Sequence, residues 1–162
     1  MNRKNWKLMV AGALVACVSG AITLQFAWAT PPSAGFTATN IVGATVFTDI
    51  ATKAETDDWK AEIKFKGPTD VYVTHIRLVP GAHGGWHSHP GPSFISVKSG
   101  TATLYDDCID PTIPYDFPAG TAFVEDAGCV HLLVNEGDVD CEVVVIQFVP
   151  RGAPRRINEN AP

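Results

Sequence analysis

Three histidines carry the chemistry that the sequence offers. His87 and His89 sit one residue apart in "PGAHGGWHSHPGPSFISVKSG", and His131 opens "VHLLVN" more than forty residues later. Alternate side chains of an extended strand share a face. If "WHSH" is extended, His87 and His89 point the same way and can occupy adjacent positions on one metal ion. A third ligand must then come from another strand, and His131 is the candidate. The competing reading is three histidines of polar surface loops. The paired spacing favours a metal.

The elements that would position these residues are strands. "AEIKFK" alternates apolar and charged residues, and "DVYVTHIRLV" is rich in β-branched ones. "FISVKSG" and "TATLYDD" lie either side of a Ser-Gly turn, and "TAFVED", "VHLLVNEG" and "CEVVVIQFVP" complete the set. Short segments bounded by Gly, Pro, Asn and Asp, without a 3.6-residue period, predict an all-β sandwich or barrel. Gly81, Gly100, Gly120 and Gly128 read as turn residues with unusual backbone angles.

The spacings resemble the two motifs of the cupin family. The first is a glycine, five residues, His-x-His, a glutamate and a glycine; here it runs Gly81, His87, His89, Ser93 in the glutamate position, and Gly100. The second runs Gly120, Asp126 where proline belongs, Gly128, His131 and Asn135. The resemblance implies a double-stranded β-helix, a jelly-roll barrel of antiparallel strands. It also implies one divalent metal on His87, His89 and His131. With Ser93 in place of glutamate the chain resembles a three-histidine cupin, which leaves the ion its full charge. Such members use iron(II) for dioxygenase chemistry; zinc, manganese, copper and nickel also suit imidazole ligands. The resemblance thus implies a small-molecule metalloenzyme of oxidoreductase type. The alternative is a non-catalytic cupin that binds or stores a small ligand. Homodimers are common in the family and are a further expectation.

His83, Ser93 and Gln147 are candidates for lining the pocket or supporting the ligands. His83 lies just before the motif strand and reads either as a further ligand or proton shuttle at the rim, or as a loop residue. Ser93 would hydrogen-bond water or substrate, or merely fill space. Gln147 is the one polar residue of "VVVIQFV" and faces either inward or outward. Asn135 is expected to support the turn after its strand.

Residues 1–29 differ from the rest. Arg3, Lys4 and Lys7 precede an uncharged run from Leu8 to Ala29 that ends in "AWA". This reads as a secretory signal peptide. An uncleaved N-terminal anchor and a lipoprotein signal at "LVAC" are the rivals. All three predict export to a periplasmic or extracellular location, with membrane contact only through an uncleaved segment. Removing residues 1–29 leaves nine basic against seventeen acidic residues. So acidic a body argues against nucleic acid or an anionic membrane as the main partner; the small-molecule ligand or substrate is what the resemblance implies. Nothing in the chain resembles a Ser-His-Asp triad or a phosphate-cradling glycine loop.

Residues 30–39 read as a flexible lead-in, 40–152 as the cupin domain and 153–162 as a polar tail, loose or docked on the surface. Of the three cysteines beyond residue 29, Cys108 and Cys129 are the expected disulfide. Cys141 is then a buried free thiol at the head of the valine-rich strand.

Overall fold

The computed structural model describes residues 29–162. The signal-peptide, anchor and lipoprotein readings therefore fall almost wholly outside the described residues. Among those, no helix is long and apolar enough to cross a membrane.

Twelve strands follow in chain order: β1 (Phe36–Phe47), β2 (Ala51–Glu55), β3 (Lys60–Lys64), β4 (Thr69–Leu78), β5 (His87–Ser88), β6 (Ser93–Ser99), β7 (Thr101–Asp106), β8 (Asp110–Pro118), β9 (Ala122–Glu125), β10 (His131–Val134), β11 (Cys141–Pro150) and β12 (Ile157–Asn158). Two five-stranded sheets form, in the orders β1-β4-β11-β6-β9 and β12-β5-β10-β7-β8. Every pairing in them is antiparallel. Strands β2 and β3 make a separate hairpin. The fold is an all-β jelly roll.

Period-two alternation decides which side chains meet between the sheets. In β11, Cys141, Val143, Val145, Gln147 and Val149 are buried while their neighbours are less so. In β6 the buried set is Ser93, Ile95 and Val97. Leu78, Ile95, Leu133 and Val143 anchor the apolar core. One end of the barrel thus carries polar residues on the same inward parity as the core valines.

The β6–β7 turn shows why glycine is required. Gly100 has φ +70°, and a Cβ there would lie 2.6 Å from the Asp140 carbonyl oxygen. Gly81, Gly120 and Gly128 also have positive φ.

Two boundaries need correction. Residues 30–39 are not simply a flexible lead-in: β1 begins at Phe36 and pairs with the edge of β4, Phe36 opposite Leu78. The strand satisfies backbone groups that β4 would otherwise leave bare. Residues 153–162 are more than a polar tail. Strand β12 pairs with β5, placing Ile157 opposite Ser88 and Asn158 opposite His87. Glu159 ties both ends together: its N–H donates to Trp86 O at 3.0 Å, and its carbonyl accepts from Thr30 N–H at 3.1 Å. The ordered unit therefore extends beyond residues 40–152 in both directions.

Candidate metal centre

The site is assembled from the neighbouring strands β5 and β10 of the second sheet, faced by β9 and β11 of the first. His87 on β5 is the register partner of His131 on β10. Strand β5 leaves His87 and His89 on one face, while Ser88 turns away and donates its hydroxyl to Glu159 Oε1 at 2.9 Å. The three rings converge, with centroids 4.4 Å apart for His87–His131, 4.8 Å for His87–His89 and 5.0 Å for His89–His131. All three side chains are buried, His131 completely.

Each ring is locked through Nδ1. His87 Nδ1 lies 2.7 Å from Gly85 O, His131 Nδ1 3.0 Å from Cys129 O, and His89 Nδ1 2.6 Å from Arg155 O. A carbonyl oxygen can only accept, so each Nδ1 carries the proton and each Nε2 keeps its lone pair. Gln147 Nε2 also comes within 2.8 Å of His89 Nδ1. Its amide hydrogens instead find Arg155 O at 2.9 Å, and its Oε1 accepts from Arg155 Nε at 3.0 Å. His131 Nε2 is buried with no hydrogen-bond partner. Such an orphan is costly unless something else takes it up. Among the described residues, His87, His89 and His131 form a group whose ligand atoms lie within 4.8 Å of one another. That donor set, with its free Nε2 lone pairs, fits a metal ion.

The structure adds a residue that sequence reasoning missed. Glu125, at the end of β9, is buried, and its Oε2 lies 3.3 Å from His131 Nε2 and 3.4 Å from His89 Nε2. Its signal was an acidic residue in a short strand six positions before His131.

The electrostatics suit a cation. Burial, followed by repulsion from His131, pushes His87 down to about 3, so its imidazole is neutral. Burial opposes ionisation of Glu125, but attraction from His131 prevails and holds its carboxyl below the usual range. His131 is shifted up: burial lowers it, yet the Glu125 carboxylate outweighs that. Whatever positive charge Nε2 takes on, proton or metal, the carboxylate stabilises.

A cavity of about 320 Å³ opens onto these groups. Phe36, Ile76, Leu133 and Val145 form apolar walls; His87, His89, Glu125 and Gln147 line it alongside Arg155 and Arg156 from the C-terminal segment. Neither arginine was singled out from the sequence. Arg155 donates through all three of its nitrogens, to Gln147 Oε1, Asn40 Oδ1 at 2.7 Å and Thr74 Oγ1 at 2.8 Å, and stacks over Tyr72. Arg156 donates to Asn158 Oδ1 at 2.7 Å and Gly85 O at 3.4 Å, and forms no ion pair among the described residues. Burial pulls its guanidinium down to about 10, which still leaves it charged.

The remaining candidates fall as follows. Gln147 faces inward and carries the Arg155 link to His89. Ser93 is fully buried, touched by Gln147 Nε2 at 3.4 Å. His83 stands apart from the three converging rings: its Nδ1 accepts from Gly85 N–H at 3.2 Å, and its backbone bridges to Val134. The turn around it points Nδ1 at its own backbone, and His83 is not in the group of three converging histidines. Cys108 and Cys129 are joined in a disulfide, and Cys141 is free and buried. Asp106 and Asp107 cluster near that disulfide but cap turns, accepting from Cys108 N–H and Val130 N–H.

Comparison with known proteins gives one family match and several structural likenesses. Residues 74–147 match the family model described as "Cupin domain". No curated protein sequence matches the chain. Among solved structures, a conserved protein of unknown function from Streptococcus pyogenes is 25% identical, covering 51% of this chain and 68% of that one, with TM-score 0.45. An uncharacterised conserved protein with a double-stranded β-helix domain from Klebsiella pneumoniae is 24% identical over 70% of this chain and 86% of that one, TM-score 0.45. A predicted oxalate decarboxylase from Thermotoga maritima is 20% identical over 52% and 83%, TM-score 0.43.

Proposed function

The chain belongs to the cupin superfamily, and from that premise we propose that it holds one divalent metal ion on His87, His89 and His131 and acts on a small organic anion. The observation that carries this reading is the set of three buried imidazoles whose Nδ1 atoms are tied to carbonyls and whose Nε2 lone pairs converge. Iron(II) is the metal and a dioxygenase-type oxidation the reaction. The bound ion supplies Lewis acidity and one-electron redox chemistry with dioxygen as co-substrate.

The chain's own residues do the rest. The apolar walls exclude water and receive the body of the substrate. Arg156 retains unengaged N–H donors on the same cavity and holds the anionic group. Arg155, bonded through all three nitrogens to Gln147, Asn40 and Thr74, fixes the segment that carries Arg156 and keeps Gln147 oriented. What supports an exported location is the Cys108–Cys129 disulfide, which suits an oxidising compartment.

Metal analysis of protein purified from its native compartment tests the reading. One divalent ion per chain is expected, lost in His87→Ala and His131→Ala. Protein that neither retains nor takes up a divalent metal would refute it. Oxygen uptake by the iron(II) form with small carboxylic and phenolic acids tests the reaction. Stoichiometric binding of such acids without oxygen uptake would favour the non-catalytic binding cupin.

A further inference from the structure

We propose that Glu125 is the fourth ligand of the ion and replaces, from the neighbouring strand, the carboxylate that Ser93 does not provide. The inference rests on the metal reading above.

The register places it there. Strands β6 and β9 pair antiparallel with Ser93 opposite Glu125. Side chains directly opposite on one face have Cβ atoms about 5 Å apart, so a longer side chain at one position reaches the space the other would fill. Ser93 is fully buried and short. A second carboxylate at 93 would set like charges face to face in a buried site, which is destabilising. A carboxylate from one strand or the other fills the space, and here β9 supplies it.

The distances agree. Charge-assisted N–H···O contacts run about 2.7–2.9 Å. Glu125 Oε2 lies 3.3 Å from His131 Nε2 and 3.4 Å from His89 Nε2, and His131 Nε2 has no hydrogen-bond partner. Two donor atoms each about 2.1 Å from one ion are separated by about 3.0 Å in octahedral and about 3.4 Å in tetrahedral geometry. The spacing to His89 and His131 is that of neighbouring ligands; the group with all donor atoms within 4.8 Å of one another is the three histidines, so Glu125 sits on their His89–His131 side and closes on the ion from there.

The charge agrees as well. Glu125 is buried, and among the described residues neither Lys nor Arg pairs with it. With the neighbouring imidazoles neutral it lacks a cationic partner, which is expensive for a buried carboxylate, and an ion at the three Nε2 atoms provides one. The centre is then three imidazoles and one carboxylate, and the bound ion's charge is partly neutralised.

Cobalt(II) substitution with chelator competition tests this in four proteins: wild type, Glu125→Gln, the transposed Ser93→Glu/Glu125→Ser, and His131→Ala. Expected are at least a tenfold loss of cobalt affinity and an altered visible spectrum for Glu125→Gln. The transposed variant should regain affinity to within a few-fold of wild type, which also guards against a folding defect in the single variant. If Glu125→Gln keeps wild-type affinity and spectrum while His131→Ala loses cobalt, the assignment of Glu125 is overturned and the three-histidine site stands. If His131→Ala also binds as wild type, the metal reading fails and the proposal with it.

Discussion

A chain ending at Pro154 should keep its fold and lose metal affinity. Removing residues 155–162 deletes the Arg155 carbonyl, which accepts from His89 Nδ1 at 2.6 Å and from Gln147 Nε2 at 2.9 Å. Both donors belong to buried side chains. An unsatisfied buried donor costs about 1–3 kcal/mol. Water can enter once the segment is gone, so the lower half of that range applies to His89. About 1–2 kcal/mol corresponds to roughly 5–30-fold in metal affinity. This overlaps the 10–100-fold typical when a group that orients a metal-binding histidine is lost. The folding cost is smaller. The segment contributes the β12–β5 pairing, the Glu159 backbone links and the Arg155 side-chain bonds. Each is worth about 1 kcal/mol net, and the cost of ordering the chain, about 1–2 kcal/mol per residue, at least offsets that gain. Zinc competition against a chromophoric chelator at neutral pH, alongside a thermal melt, measures both. The control is Arg155→Met, which keeps the carbonyl and should bind metal within about threefold of wild type. Truncated protein that binds within twofold of full length would refute the reasoning. So would an Arg155→Met loss as large as the truncation, because the side chain would then carry the effect.

Three further outcomes follow from the geometry. Cys108→Ser opens a link of sequence separation 21 and should lower stability by about 3 kcal/mol in urea unfolding; metal affinity should fall several-fold, because Cys129 O orients His131. Native protein at pH 8 should leave Cys141 unlabelled by iodoacetamide, since burial, aided by Glu142, pushes its thiol up to about 11; labelling should appear on unfolding. Arg156→Met should weaken benzoate binding by tenfold or more in calorimetry while barely changing benzyl alcohol, because only the anion loses a charged partner.

Much of this was legible because it is local. Two histidines on one face follow from strand alternation, and the turn glycines follow from spacing and backbone sterics. Asn135 behaves as its place after a strand suggested: its Nδ2 donates to Leu78 O and Val139 O, and its Oδ1 accepts from Gly137 N–H. The side of β11 that Gln147 occupies was open, because the run around it is apolar on both parities. Only the partner sheet makes one parity the inner one. The strands at the edges were harder. Strand β1 hid among small polar residues, and β12 is two residues long, so pairing alone defines them.

Glu125 shows most clearly where a one-dimensional reading stops. A motif records which residue stands at which place along one strand. A metal ion responds to a point in space, which side chains from several strands can reach. Ser93 at the motif position therefore says that β6 supplies no carboxylate; it leaves open whether the site lacks one. The β6–β9 register answers that, setting Glu125 opposite Ser93 with its oxygen beside His89 and His131. A three-histidine site would give a doubly charged ion no compensating ligand. With Glu125 included, one negative charge offsets it, Lewis acidity falls and the lower oxidation potential of an electron-rich centre is favoured. Arg156 lines the same cavity with the opposite sign; on the proposed function the two charges divide the work, the carboxylate steadying the metal and the guanidinium recruiting the anion. Exchanging either sign should therefore affect a different step, metal retention for Glu125 and ligand selectivity for Arg156.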